Sequence, residues 1–163
     1  VEREILGEFD ILLQKQHMNE QEREDFLLEF EQERSRTLIA FCVMGGIFSE
    51  GIDLTEDKLI GSIIIGTGLP QICMEKEVVK TYFDQIGMNG FDYAYLYPGI
   101  NKVLQAAGRV IRTESDKGVI ALLDERFQKR EYTSLFPKEW NDVEVTNTEK
   151  AKERIEEFWN QVL

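Results

Sequence analysis

Short apolar runs alternate with amphipathic segments along this chain. The apolar runs predict strands at 10–13, 37–44, 59–65 and 118–124. The run at 10–13 is also short enough to be a helical turn. The amphipathic segments predict helices at about 20–34, 75–85, 99–112 and 147–163. Strands that alternate with helices are typical of βαβ units, so the sequence predicts an α/β fold with a mainly parallel sheet covered by helices on both faces.

Local signals refine three of these helices. Asn19, followed three residues later by Glu22, predicts a capping box at the start of the first helix. In the 75–85 helix we expect an inner side made of Val78, Val79, Tyr82 and Phe83. The helix at 147–163 has an apolar stripe through which it should dock on the domain, with a partner helix as the alternative occupant; the stripe contains Ile155, Phe158, Trp159 and Val162.

Glycines follow two of the predicted strands. Gly45 and Gly46 come after the 37–44 strand, and Gly66 and Gly68 come after the 59–65 strand. In parallel α/β sheets, ligands bind beyond the carboxyl ends of the strands. Glycines there let backbone amides approach a phosphate closely, and Asp53 could accept from a ribose hydroxyl or orient an arginine. Glycine turns with polar caps are also common as purely structural features.

A second set of polar residues lies on the 99–112 helix. Gln105, Arg109 and Arg112 are spaced i, i+4 and i+7, which predicts one polar helix face. A guanidinium offers a rigid fork of donors that suits phosphate oxygens and can neutralise charge during phosphoryl transfer. Gly108, placed inside the predicted helix, would cost about 1 kcal/mol relative to Ala, which suggests a close approach. The alternative is a solvated helix face.

Composition limits the classes of function. The chain has 163 residues, which suits one domain, and its 19 basic against 31 acidic side chains give a net charge of −12. Such acidity opposes non-specific binding to a polyanion, so any contact with a nucleic-acid strand must be local. Cys42 and Cys73 cannot supply a disulfide framework or a metal site, and His17 has no partner ligand in sequence. No apolar run is long enough for a membrane span and no signal peptide opens the chain, so we expect a cytoplasmic protein that binds no metal and no membrane.

Aromatic side chains offer a further possibility. Trp140 and Trp159, together with Tyr93, Tyr95 and Tyr97, could stack on nucleic-acid bases. They lack a basic surround, so packing in the core is the favoured interpretation. The segment 91–98 lies just before the helix predicted at 99–112 and could also line the path of a nucleic-acid strand.

Four segments in order resemble one protein family. Residues 45–54 are similar to motif V (G-G-x-x-x-E-G-I-D) and residues 105–112 to motif VI (Q-x-x-G-R-x-x-R) of XPD/DinG-type superfamily 2 helicases. Residues 68–70 resemble the family's G-L-P segment, and residues 123–127 its L-D-x-R segment. The chain therefore resembles the second RecA-like motor domain, or C-terminal helicase domain, of an ATP-dependent DNA helicase. That resemblance implies a three-layer α/β/α domain.

The resemblance also implies roles for individual residues. Arg109 and Arg112 would be the catalytic arginines that reach the γ-phosphate of ATP, and Gln105 would position the nucleotide or its attacking water. A second group would contact the nucleotide or couple its cleft to the DNA path: Glu50, Gly51, Asp53 and Gly108. A third group would contact single-stranded DNA: Gly46, Ser49 and Gly68.

Several expected parts of such an enzyme do not occur in these 163 residues. The sequence has no G-x-x-x-x-G-K-[ST] phosphate loop and no D-E-x-H box. We therefore expect ATP and Mg²⁺ to be held mainly by a first motor domain of the same protein, and the isolated chain to be inactive. An iron–sulfur cluster, common in the first motor domain of such helicases, could lie elsewhere in the parent protein but not in this chain.

The sequence starts at Val1 without an initiator methionine, which suggests that residues 1–163 are a single-domain fragment of a larger helicase. The strand and helix that carry motif IV in this family are absent, so we expect the sheet to lack its first strand and helix. Two alternatives remain open for the function. One is the motor domain of a non-unwinding translocase or a nuclease-fused helicase-like enzyme, and the other is a catalytically silent interaction module.

Overall fold

The computed structural model describes residues 7–46, 59–111, 113, 115–140 and 142–162. Its strands are β1 (Asp10–Leu13), β2 (Leu38–Phe41), β3 (Gly61–Ile65) and β4 (Val119–Leu123). Its α-helices are α1 (Glu20–Leu28), α2 (Met74–Gln85), α3 (Tyr97–Ala107), α4 (Arg130–Thr133) and α5 (Thr148–Val162). A π-helical segment (Asp92–Leu96) leads into α3, and a 3₁₀ turn (Glu125–Gln128) follows β4.

All strand pairing among the described residues is parallel. β1 pairs with β2 in a register that joins Asp10 to Leu38 and Leu13 to Phe41. β3 pairs with β4, from Gly61 opposite Val119 to Ile65 opposite Leu123. Between β3 and β4 the chain passes through α2, the π-helical segment and α3, as a parallel crossover requires. The predicted α/β class with parallel strands is confirmed, including the strand at 10–13.

The first helix begins as predicted and ends early. The Asn19 side chain accepts from the Glu22 N–H at 2.9 Å, and the Glu22 carboxylate accepts from the Asn19 N–H at 3.0 Å. α1 ends at Leu28, so the expected extension to residue 34 is wrong. Arg34 explains this end: its guanidinium donates to the Glu29 carbonyl at 3.1 Å and to the Asp10 carboxylate at 3.2 Å. The guanidinium thereby satisfies a carbonyl at the helix end and ties the returning chain to β1.

The core lies between α3 and β3. Ile64 packs with buried residues of α3, and the layer is closed by side chains of the 3₁₀ turn and α4. Besides Ile64, the buried residues of this core are Leu96, Ile100, Val103, Ala107, Phe127 and Tyr132. Val103 and Ala107 are fully buried, so the apolar side of α3 fixes its position on the strand pair. The opposite side of the same helix is left for polar contacts.

Outward-facing strand residues are less covered than the sequence suggested. Ile63 and Ile65 are 70% and 73% exposed, while Ile64 between them is 4% exposed. Among the described residues, the expected cover over the Ile63 and Ile65 side of β3 is therefore missing. In α2 the predicted inner side is also wrong: Val78 and Tyr82 are exposed, and Phe83 is half-buried.

The last helix, α5, matches the predicted range and is loosely attached. Phe158, Trp159 and Val162 are half-buried and Ile155 is exposed. The Lys117 ammonium donates to the Val162 carbonyl at 3.4 Å, near the helix end. The predicted docking stripe is thus only partly covered. Within the described residues, no helix combines the length and apolar character needed to cross a membrane.

Candidate functional site

Two glycine-containing loops follow β2 and β3, and both reach α3. Gly45 and Gly68 have φ angles of 77° and 68°, a region that favours glycine. A Cβ added at Gly68 would lie 2.7 Å from the Gly99 carbonyl oxygen and 3.2 Å from Sδ of Met44. The loop after β3 therefore contacts both the first turn of α3 and the residue that precedes Gly45. The two loops meet at one place, as the sequence predicted for carboxyl strand ends.

Gly99 makes the same approach possible from the helix side. A Cβ there would lie 2.9 Å from the Thr67 carbonyl oxygen and 3.0 Å from Cδ2 of Leu69. Thr67 is 1% exposed, and its hydroxyl has no hydrogen-bond partner in the described part of the chain. Backbone packs directly on backbone at this contact. The loop position is consequently fixed by the helix position.

The loop after β2 is tightened by hydrogen bonds. The Val43 N–H donates to the Gln14 side-chain oxygen at 2.8 Å, and the Gly46 N–H donates to the Val43 carbonyl at 2.9 Å. A Cβ at Gly46 would lie 2.9 Å from that carbonyl and 3.2 Å from the Gln14 side-chain nitrogen. Gln14, directly after β1, therefore positions the start of motif V.

Lys102 is the site residue that sequence reasoning missed. A Cβ at Gly45 would lie 2.9 Å from Cδ of Lys102 and 3.3 Å from its Nζ, so the lysine side chain lies across the glycine. Lys102 is half-buried and sits one helical turn before Gln105. The available signal was this spacing, since an i−3 position shares the face of the motif VI glutamine.

The carboxyl end of α3 differs from the prediction. The helix ends at Ala107, and Gly108 is its cap with φ −66°, so Gly108 is not inside a helix. The Arg109 N–H donates to the Ala106 carbonyl at 3.3 Å and the Val110 N–H to the Ala107 carbonyl at 3.1 Å. These shorter-range bonds tighten the chain into a turn. The expected continuous helix face is therefore wrong beyond Ala107.

The polar residues of motif VI are consequently placed on two kinds of structure. Gln105 is exposed on the last turn of α3, and Arg109 is half-buried in the turn that follows. Gly108 between them is exposed and has no strained φ. The other predicted site residues, Arg112, Ser49, Glu50, Gly51 and Asp53, lie outside the described residues.

Asp124 and Arg126 form a self-contained pair after β4. The Asp124 carboxylate caps the 3₁₀ turn by accepting from the Arg126 N–H at 2.9 Å. The guanidinium also donates to both carboxylate oxygens, at 2.8 and 2.6 Å. These contacts lower the pKa of Asp124 to about 2, mainly through the Arg126 side chain. This geometry gives the L-D-x-R segment a structural role at the end of a strand.

The aromatic residues before α3 pack in the interior. Tyr93 stacks on Phe83 with ring centroids 3.9 Å apart, and Tyr97 meets Tyr93 edge-on at 5.1 Å. Tyr95 is 4% exposed, and its hydroxyl donates to the Glu77 carboxylate at 2.5 Å. That hydrogen bond is the main cause that raises the pKa of Tyr95 to about 12. For these tyrosines the favoured interpretation, packing, agrees with the structure.

The donor set at this edge suits phosphate. The amide of Gln105, the ammonium of Lys102 and the guanidinium of Arg109 come from one short stretch of chain and are all hydrogen-bond donors. Arg109 carries positive charge that a polyphosphate needs, and Lys102 adds a second positive charge beside the Gly45 turn. The described residues hold no group of three or more His, Cys, Asp or Glu side chains arranged for a metal ion. The three donor side chains fit contact with phosphate oxygens.

Known proteins share this sequence pattern. Residues 2–143 match the helicase C-terminal domain family. The ATP-dependent DNA helicase DinG of Photobacterium profundum is 39% identical over 89 residues, which are 53% of this chain and 13% of that protein. The XPD helicase subunit of general transcription and DNA repair factor IIH from Dictyostelium discoideum is 30% identical over 108 residues, 63% of this chain and 13% of that protein.

A longer match covers most of the chain. A regulator of telomere elongation helicase 1 homologue from Caenorhabditis elegans is 29% identical over 142 residues, 80% of this chain and 14% of that protein. The chain thus spans about a seventh of the length of the relatives it matches. Because the family match covers residues 2–143, the chain belongs to the helicase C-terminal domain family, in the branch that includes DinG and XPD.

Proposed function

We propose that this domain is the second motor domain of an ATP-dependent DNA helicase, and that it works on ATP held by a first motor domain of the same protein. One observation carries the proposal: α3 contacts the two glycine loops through Gly99 and Lys102, carries Gln105 in its last turn, and is followed directly by the turn that holds Arg109. The names of the relatives, which are ATP-dependent DNA helicases, support the same function.

At the nucleotide, the contribution of this domain is charge. Arg109, and Arg112 by the sequence pattern, would donate to the γ-phosphate and stabilise the negative charge that builds up as the phosphoryl group is transferred. Such trans-acting arginines are worth about 10³ to 10⁵ in rate. Gln105 would orient the nucleotide or the attacking water. ATP, with its Mg²⁺, supplies the reacting phosphate when it is bound on the first motor domain.

At the nucleic acid, contact would be local. The glycine loops at Gly46 and Gly68 lie at the carboxyl ends of β2 and β3, where a single strand could approach the backbone closely. The net charge of −12 disfavours broad electrostatic binding over the rest of the surface. The strand must therefore be held by a few close contacts.

Coupling between the two ends would pass through α3 as a rigid body. The helix has 11 residues, so it is about 16 Å long. Its buried side is locked on β3 by Ile100 and Val103, and its first turn is locked to the loop after β3 at Gly99. A displacement of the motif VI end on ATP binding would consequently move the glycine loops as well.

The test uses the full-length protein that contains both motor domains. Arg109→Ala and Arg112→Ala should each lower ATP turnover by at least about 10³-fold, because each removes a charge that acts in the transition state. Nucleotide binding should be largely preserved, since the first motor domain holds most of the nucleotide. Steady-state ATP hydrolysis and equilibrium binding of a fluorescent nucleotide measure the two effects.

Arg23→Ala is the matched control, because Arg23 is an exposed arginine on α1. It should leave ATP turnover unchanged. If Arg112→Ala and Arg109→Ala also leave turnover unchanged, the motor-domain assignment fails and the domain is a catalytically silent interaction module.

A further inference from the structure

Lys102 lies between the segment that begins motif V and the segment that carries motif VI. Its side chain crosses Gly45 at the start of motif V, and it is carried by the helix that ends at motif VI. Any side chain at position 45 would displace it, since a Cβ there would come within 2.9 Å of Cδ. Gly45 therefore leaves room for a positive charge over the loop.

That charge is not used inside the described structure. Several other cations are paired with carboxylates: Lys15 with Glu22, Arg34 with Asp10 and Glu29, Lys80 with Asp84, and Arg154 with Glu144 and Glu157. Lys102 forms no ion pair with any carboxylate in the described part of the chain. Lys102 is therefore a half-buried lysine on a glycine turn whose charge no carboxylate of the described residues balances.

At this turn the donor available to an anionic ligand is the Lys102 side chain. The Gly46 N–H already donates to the Val43 carbonyl, so Lys102 is the strong donor beside this turn. Lys102 lies five residues, about 7.5 Å of helix, before α3 ends. It is therefore nearer to the glycine loops than to the turn that carries Arg109.

We propose that Lys102 binds a backbone phosphate of single-stranded DNA at the Gly45 turn. The inference rests on the proposed helicase function and adds a residue to its nucleic-acid site. The contact reads phosphate and no base, so it holds the strand irrespective of sequence. Because Gln105 lies one turn after Lys102 on α3, the DNA phosphate and the nucleotide would be contacted by adjacent turns of one helix.

The experiment measures binding of oligo(dT) and of a mixed-sequence single strand to the full-length protein over a range of salt concentrations. Lys102→Gln should reduce the slope of log affinity against log salt by about 0.7 to 1, equally for both strands. Lys102→Arg should keep the unaltered slope, because it retains the charge. The KM for ATP should be the same in all three proteins.

Lys138→Gln is the matched control, since Lys138 is an exposed lysine outside α3 and has no ion pair among the described residues. It should leave the slope unchanged. An unchanged slope in Lys102→Gln would overturn the proposal, and so would a raised KM for ATP with an unchanged slope, which would assign the lysine to the nucleotide. Either result in a protein that still shows DNA-stimulated ATP hydrolysis would leave the helicase function itself intact.

Discussion

At the residue scale, the residues at which the two glycine loops meet α3 were not equally predictable from the sequence. Gly45 and Gly68 could be predicted as special, because they follow apolar runs. For Lys102 the spacing to Gln105 was readable in the sequence, but the contact with Gly45 was not, since it joins two segments 57 residues apart in the chain. Motif VI was recognisable from the spacing of Gln105, Gly108, Arg109 and Arg112, although the placement of Gln105 and Arg109 on different local structures was not.

Asp124 gives a residue-scale prediction about pH. Asp124→Asn keeps an acceptor for the Arg126 N–H but removes the charge, so we expect the free energy of unfolding to fall by on the order of 1 kcal/mol at pH 7. The pKa of Asp124 is lowered to about 2 in the folded chain. Its contribution is therefore complete above the ordinary aspartate pKa and is lost as the pH falls from about 4 to about 2.

Urea denaturation of the unaltered chain and of Asp124→Asn, from pH 7 to pH 3, measures this difference. The gap between the two should stay constant down to about pH 5 and then narrow. A gap that is unchanged at pH 3 would show that the ion pair with Arg126 does not stabilise the fold. Asp142→Asn, at an exposed aspartate, is the control and should show no such pH-dependent gap.

At the element scale, the hydrophobic pattern and one capping signal predicted most strands and helices, whereas tertiary packing determines where they end. The capping box at Asn19 was readable in sequence, whereas the end of α1 depends on Arg34 folding back on Glu29. The motif VI helix was predicted to run to residue 112 because its apolar spacing continues. In the structure this helix ends at Ala107, and Val110, in the turn that follows, is 3% exposed.

The contact between α3 and the loop after β3 gives an element-scale prediction. Gly68→Ala adds a Cβ 2.7 Å from the Gly99 carbonyl oxygen at a φ of 68°, so both backbone strain and steric overlap destabilise this variant. Gly66→Ala in the same loop has a φ of 83° and nothing within 4 Å of its Cβ, so backbone strain alone destabilises this variant. We expect a loss of about 1–2 kcal/mol for Gly66→Ala and at least about 1 kcal/mol more for Gly68→Ala.

Chemical denaturation of both variants beside the unaltered chain provides the comparison. Equal losses would mean that the loop does not pack on the helix backbone as described. In the full-length protein, Gly68→Ala should also weaken binding of single-stranded DNA more than Gly66→Ala does. The reason is that the overlap shifts the loop relative to α3.

At the scale of the whole molecule, the alternation of runs was enough to predict a parallel α/β fold, and four short motifs in order were enough to predict the family. The exposure of Ile63 and Ile65, and of the α2 face around Val78, could not be predicted. Apolar periodicity says which residues favour burial, but it does not say which part of a protein covers them. The same reasoning applies to the half-covered stripe of α5.

The proposed coupling links ATP chemistry at the motif VI end of α3 to a DNA strand at the glycine loops. Its most direct test is the rate of ATP hydrolysis by the full-length protein with and without saturating single-stranded DNA. We expect DNA to raise this rate several-fold in the unaltered protein, and Arg109→Ala to abolish the increase while DNA remains bound. An ATP hydrolysis rate that is the same with and without DNA in the unaltered protein would contradict the account.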